Sequence, residues 1–187
     1  MVDFLIALMA LGFLAIVTAR MPPMRPAEIL HGAVRVTDGD TLELDGLRIR
    51  LQGIDAPELA QACNNSDVAY PCGLQARAAL AQLVDGRPVS CESYGHDRYG
   101  RTLARCMAGT TELNRAMVET GWALAYGDYD VQEAQARKAR RGLWRGDFMP
   151  PQEWRRAHDR LDAAPHQPLS AFWDWLRDLG RLWIGNT

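Results

Sequence analysis

The stretch Thr37-Asp38-Gly39-Asp40-Thr41-Leu42-Glu43-Leu44-Asp45-Gly46-Leu47-Arg48-Ile49-Arg50-Leu51 decides the fold. Leu42 and Leu44 alternate with Thr41, Glu43 and Asp45; Leu47, Ile49 and Leu51 alternate with Arg48, Arg50 and Gln52. A period of two sends successive side chains to opposite faces, so both runs read as half-buried strands. Asp38-Gly39 and Asp45-Gly46 carry the turn chemistry that joins antiparallel neighbours. Val34 and Val36 alternate with polar residues just upstream and complete a meander.

Outward from that meander, helices and strands interleave. Gly73 to Leu83 reads as a helix with Leu74, Ala78, Leu80 and Leu83 facing inward. Pro88 to Tyr94 and Arg101 to Met107 read as strands. Glu112 to Thr120 is a helix bearing Leu113, Ala116 and Met117 and ended by Gly121, and Asp130 to Arg141 is another, stopped by Gly142. Short meanders with interleaved helices predict an α+β chain on a small closed barrel. No internal repeat or low-complexity tract interrupts it.

The chain has 187 residues, 48% hydrophobic and 24% charged. That length predicts one domain, and the composition excludes a disordered chain, a collagen-like repeat and a multi-pass membrane protein. The net charge of −2 excludes a globally basic nucleic-acid binder, so any contact with an anionic polymer must come from a local cluster of arginines. All basic residues except Lys138 are Arg. Arginine presents the better fork for phosphate, but codon usage in a GC-rich genome is the readier explanation of the bias. The run Arg137, Lys138, Arg140, Arg141 and Arg145 reads as the solvated end of a helix, where cations complement the dipole. His31, His96, His158 and His166 show no metal-ligand spacing.

The two ends differ from the body. Phe4 to Ala19 is uncharged with only Thr18 polar, and Val17-Thr18-Ala19 offers small residues in a cleavage-like pattern. Residues 1–20 therefore read as a signal or membrane-anchor segment, and residues 21–31, with Pro22, Pro23 and Pro26, as a stiff linker. Arg20 and Arg25 beyond the apolar run favour a cytoplasmic C-terminal side. The cysteines point the other way. Cys63, Cys72, Cys91 and Cys106 form an even set without a C-x-x-C pair. Cys63–Cys72 would close a polar loop, and Cys91–Cys106 would join successive strands. Disulfides need an oxidising compartment, and the expected location is exported: periplasmic or secreted, with residues 4–19 as a potential anchor. Residues 158–187 form a tail in which Phe172, Trp175, Leu176, Leu179, Leu182 and Trp183 recur at helical spacing. This Trp-rich amphipathic helix suits packing on the domain or on a second copy, or a membrane interface.

Four clusters carry chemistry: Asp38-Gly39-Asp40-Thr41 at a hairpin; Arg50 followed by Asp55-Ala56-Pro57-Glu58; Asp97-Arg98-Tyr99-Gly100-Arg101; and Tyr126 after Gly121-Trp122-Ala123-Leu124-Ala125. In this order and among these strands they resemble the staphylococcal-nuclease (thermonuclease) family. The resemblance runs from about Gly32 to Trp154 and continues through Gly142-Leu143-Trp144. The stretch around Gln61, Cys63, Cys72-Gly73, Cys91 and Cys106 looks like the exported bacterial branch with paired cysteines. The resemblance implies a five-stranded OB-fold β-barrel with about three packed helices, spanning residues 32–157. It implies a Ca²⁺-dependent nuclease acting on DNA or RNA as a monomer and leaving 3′-phosphate ends. Asp40 and Asp55 match the carboxylate ligands of the cation, and Ala56 the backbone-carbonyl ligand. Glu58 matches the general base, and Arg50 and Arg101 the arginines on the scissile phosphate. Arg98, Tyr99 and Tyr126 match nucleotide-contacting positions. The family's second aromatic beside the nucleotide is Asp128 here, with Tyr129 next to it, and the segment between Tyr126 and the last helix is shortened.

The residue types make sense for that chemistry without the family. A phosphodiester repels anionic nucleophiles, and a hard cation on Asp40 and Asp55 neutralises it. Arg50 and Arg101 can fork onto oxygens where charge grows. Glu58, held by rigid Pro57 three residues past Asp55, can take a proton from water. No side chain stands out as a dedicated general acid. The alternative is a catalytically inactive OB-fold nucleic-acid-binding module at the cell envelope. Loss of the acidic residues would mark such a module, and all of them are present.

Overall fold

A computed structural model describes residues 28–162. The expected signal or anchor segment, the linker up to residue 27 and the Trp-rich helix lie outside the described residues.

The strands are β1 (Glu28–His31), β2 (Val34–Val36), β3 (Thr41–Leu44), β4 (Leu47–Leu51), β5 (Ile54–Asp55), β6 (Cys63–Asn65), β7 (Val68–Tyr70), β8 (Val89–His96), β9 (Thr102–Ala108), β10 (Thr111–Glu112) and β11 (Leu124–Ala125). The α-helices are α1 (Cys72–Val84), α2 (Leu113–Glu119), α3 (Asp130–Lys138) and α4 (Pro151–Asp162). The main sheet runs β1-β8-β9-β4-β3-β2, with β10 added to β9. All its pairs are antiparallel except β4 with β9. The meander β2-β3-β4 and the hairpin β8-β9 are those the alternation predicts. At the β3–β4 turn both Asp45 and Gly46 take positive φ, 48° and 85°, as a two-residue hairpin turn of the matching hand requires.

The architecture is α+β and consistent with the OB-like fold of the resemblance, but the sheet is not a closed barrel. The ladder is open between β1 and β2. Ala33, between them, spends its backbone groups on the Asp45 turn: its N–H donates to Asp45 Oδ1 at 2.9 Å and its carbonyl accepts from Asp45 N–H at 3.0 Å. The chain therefore passes from the edge of β8 to the edge of β3 without a cross-strand pair. Residues 28–31, read as the end of a linker, are strand β1, paired from Glu28↔Ser93 to His31↔Ser90.

The core lies between the sheet and helices α1 and α2. Leu42, Ile49, Leu51, Leu80, Leu113 and Met117 are fully buried. Helix α1 is turned relative to its expected face. Cys72, Gly73, Ala76, Leu80 and Val84 are its buried residues, while Leu74 is exposed. The cause is at the helix start, where a disulfide and a backbone contact pull Cys72 and Gly73 inward. The disulfides are Cys63–Cys72 and Cys91–Cys106, as expected. Cys91 and Cys106 face each other in the β8–β9 register.

Candidate active site

Strand alternation places Arg50 on the face of β4 opposite Ile49 and Leu51, which enter the core. Its guanidinium spans two carboxylates: Nη1 donates to Asp40 Oδ1 at 2.7 Å and Nη2 to Asp55 Oδ1 at 2.8 Å. Asp40 ends the β2–β3 turn, and Asp55 sits in β5. Both are buried, at 4% and 6% exposure. Asp40 is fixed further by the Ala56 N–H, which donates to its Oδ2 at 3.0 Å.

Burial pushes the Asp40 carboxyl up to about 7, against the pull of Arg50. Burial also opposes the charge on Arg50, but Asp40 and Asp55 outweigh it and raise its pKa. A carboxylate buried with its charge only partly compensated is the environment that a hard cation relieves. Among the described residues, no three His, Cys, Asp or Glu side chains are arranged to hold a metal. Asp40 and Asp55 thus fit a cation as oxygen ligands, with the rest of the coordination left to backbone or solvent oxygens.

Asp55 and Glu58 border a cleft of about 840 Å³, which Arg50, Arg98, Tyr99, Arg101 and Tyr126 also line. Asp40 is not a lining residue and meets the cleft through Arg50. Tyr126 is brought there by β11, whose Leu124 pairs with Asp55, and by its N–H, which donates to Gly53 at 2.8 Å. Tyr126 and Tyr99 stand out at 64% and 67% exposure.

Arg101 is held by the turn that ends β8. Asp97 Oδ2 accepts from Arg101 Nε at 2.7 Å, and Asp97 Oδ1 accepts from the N–H groups of Tyr99 and Arg101, each at 2.9 Å. Desolvation works to raise the Asp97 pKa, but these bonds and the Arg101 charge prevail and hold it below the ordinary carboxylate range. Arg98 lies over the Tyr99 ring at 4.7 Å. Tyr129 does not supply the missing second aromatic. Its ring packs on the core, and its hydroxyl donates to Glu112 at 2.5 Å.

The Glu58 loop is braced from below. Buried Gln61 accepts from the Glu58 N–H at 3.3 Å and donates to the Met149 carbonyl at 2.7 Å. Gly73 lies against the Glu58 carbonyl group so tightly that a Cβ there would be 2.7 Å from its carbon. The Cys63–Cys72 disulfide ties the end of this loop to α1.

Arg155 of α4 was not among the expected site residues. Its Nη1 donates to Glu58 Oε1 at 2.8 Å and its Nη2 to both Asp55 oxygens at 3.0 Å. A proline at the first helical turn signals the helix, but no local pattern signals a contact to residues nearly a hundred positions earlier. Of the basic run, Lys138, Arg140 and Arg141 are exposed, as the solvated reading expects, while two members pack on aromatic rings. Arg137 stacks on Trp144 at 4.2 Å, and Arg145 lies over Tyr70 at 4.7 Å and Trp122 at 5.3 Å.

With this geometry in view, comparison with known proteins is specific. A family profile described as "Staphylococcal nuclease homologue" matches residues 48–146. That span includes Arg50, Asp55, Glu58, Arg98, Tyr99, Arg101 and Tyr126, but begins after Asp40 and ends before Arg155. The chain is 39% identical over 127 residues to the succinoglycan biosynthesis protein ExoI of Rhizobium meliloti (strain 1021), covering 64% of this chain and 66% of that protein. It is 36% identical over 145 residues to an uncharacterized endonuclease of Escherichia coli O157:H7, covering 71% and 89%. It is 37% identical over 153 residues to a micrococcal nuclease of Shigella flexneri, covering 70% and 83%.

Proposed function

The chain belongs to the staphylococcal nuclease family, and from that premise we propose that its cleft hydrolyses phosphodiester bonds of DNA or RNA with a Ca²⁺ ion, leaving 3′-phosphate ends. The observation that carries this reading is the Arg50 bridge. It ties Asp40, set behind the cleft, to Asp55, which lines the cleft together with Arg50 and Glu58.

Asp40, Asp55 and the Ala56 carbonyl would hold the cation. When bound, it supplies positive charge and Lewis acidity to the phosphate. Glu58 faces the cleft and acts as general base, accepting a proton from the attacking water; that role is worth roughly 10²–10⁴-fold. Arg50 and Arg101 bind non-bridging phosphate oxygens as charge grows on them. Arg101 is already oriented by Asp97, a carboxylate outside the proposed cation ligands. Tyr99 and Tyr126 offer exposed rings on which bases can stack. The two disulfides support an oxidising compartment, and residues 4–19 would then act as export signal or anchor.

The test is to incubate the purified full-length chain with single-stranded DNA and Ca²⁺ and to map the new ends. Fragments that a polymerase extends only after phosphatase treatment are expected. Directly extendable ends would refute the product assignment. DNA binding without cleavage would favour a non-catalytic binding module.

A further inference from the structure

We propose that Arg155 is a positioning residue: a clasp by which helix α4 fixes Glu58 and competes with a divalent cation for Asp55. The proposal rests on the nuclease reading and deepens it.

One guanidinium joins the expected base to an expected cation ligand. Nη1 holds Glu58 Oε1 at 2.8 Å, while Nη2 lies 3.0 Å from each oxygen of Asp55. Arg50 Nη2 approaches Asp55 Oδ1 as well, at 2.8 Å. Both Asp55 oxygens are therefore occupied by guanidinium donors. A calcium ion approaches a carboxylate oxygen to about 2.3–2.6 Å, so it must share or displace those donors.

The local charge sets the direction of the effect. Asp40, Asp55 and Glu58 face Arg50 and Arg155, which leaves one excess negative charge when all are ionised. Losing the Arg155 charge leaves two and strengthens the pull on a dication. It also frees Glu58, whose carboxylate has no other side-chain ion pair among the described residues. Binding and turnover should thus move in opposite directions.

The chain entering helix α4 is anchored by contacts other than Arg155. Gln61 Nε2 donates to the Met149 carbonyl at 2.7 Å, and Asn64 and Asp147 exchange two backbone hydrogen bonds at 2.8 Å. Pro151 at the start of the helix is buried. Removing the Arg155 side chain leaves this anchorage in place.

The experiment uses the full-length chain and two variants, Arg155→Gln and Arg155→Lys. Calorimetric titration with Ca²⁺, without nucleic acid, reads affinity, and single-stranded DNA hydrolysis at saturating Ca²⁺ reads kcat and KM. Arg155→Gln should bind Ca²⁺ about tenfold more tightly and lose about tenfold in kcat with KM little changed. Arg155→Lys keeps the charge but not the two-carboxylate fork. It should bind Ca²⁺ like the wild type and still lose kcat. Unchanged or weaker Ca²⁺ binding by Arg155→Gln, with normal wild-type binding and cleavage, would overturn the clasp alone. No Ca²⁺ binding and no cleavage by the wild type would overturn the nuclease reading and the clasp together.

Discussion

Gly73→Ala sets two physical effects against each other, and the structure decides which prevails. Gly73 lies in helix α1, where alanine is favoured over glycine by about 1 kcal/mol. Propensity alone predicts a more stable protein. A Cβ at this position, however, would meet the Glu58 carbonyl oxygen inside contact distance and would lie 2.7 Å from its carbon and 2.9 Å from Leu59 Cα. Carbon atoms pack at about 3.5–4.0 Å and the carbonyl oxygen is nearer still, so the backbone of the Glu58 loop must retreat by at least about 1 Å. The loop cannot yield freely, because Gln61 and the Cys63–Cys72 disulfide hold its far end. Overpacking costs about 1–3 kcal/mol, and a clash with tethered backbone atoms takes the upper part of that range, about 2–3 kcal/mol, which exceeds the helix gain. A shift of about 1 Å in a general base lowers turnover by up to about 10²-fold. Denaturant unfolding should show a net loss of about 1–2 kcal/mol, and steady-state hydrolysis a much lower kcat with DNA affinity little changed. A Gly73→Ala variant as stable and as active as the wild type would refute the claim that this contact positions Glu58.

Glu58→Gln should lower kcat by about 10²–10⁴-fold with folding and DNA affinity intact, measured by single-turnover cleavage and binding titration. Arg101→Lys should lose turnover although the charge is kept, because one ammonium cannot reproduce the planar fork; unchanged kinetics would remove Arg101 from the site. The Asp97 pKa is lowered on folding, so its contribution to stability is present above about pH 4 and is lost as the pH falls through the depressed value. Acid unfolding of Asp97→Asn should lack that component. Reducing either disulfide should cost about 3 kcal/mol on loop-entropy grounds, seen as a lower denaturant midpoint. Reduction of Cys63–Cys72 should depress activity more, since only that bridge ties down the Glu58 loop.

Much of the site was legible because its residues sit on elements set by local rules. Alternation through Leu42 to Leu51 fixed the hairpin, and with it the face of Arg50. The same hairpin carries Asp40 at its start. The pairing of Cys91 with Cys106 followed from two adjacent strands in register. What escaped the sequence depends on contacts between distant segments. Strand β1 shows no alternation and is largely exposed; its place comes from backbone pairing with β8, which side chains do not encode. Pro151 opens α4, where its missing N–H removes no helical bond. The inward turn of Gly73 follows from the Glu58 contact, not from helical periodicity. Arg155 combines these difficulties, since nothing in its neighbours specifies the carboxylates it meets.

The most direct test of the central claim is hydrolysis of single-stranded DNA by the full-length chain in Ca²⁺, in excess EGTA, and in Ca²⁺ restored after EGTA, with Asp55→Asn measured alongside. Cleavage that stops with EGTA, returns with Ca²⁺ and is lost in Asp55→Asn is the predicted result. Cleavage that continues in EGTA, or that survives the loss of the Asp55 charge, would contradict it.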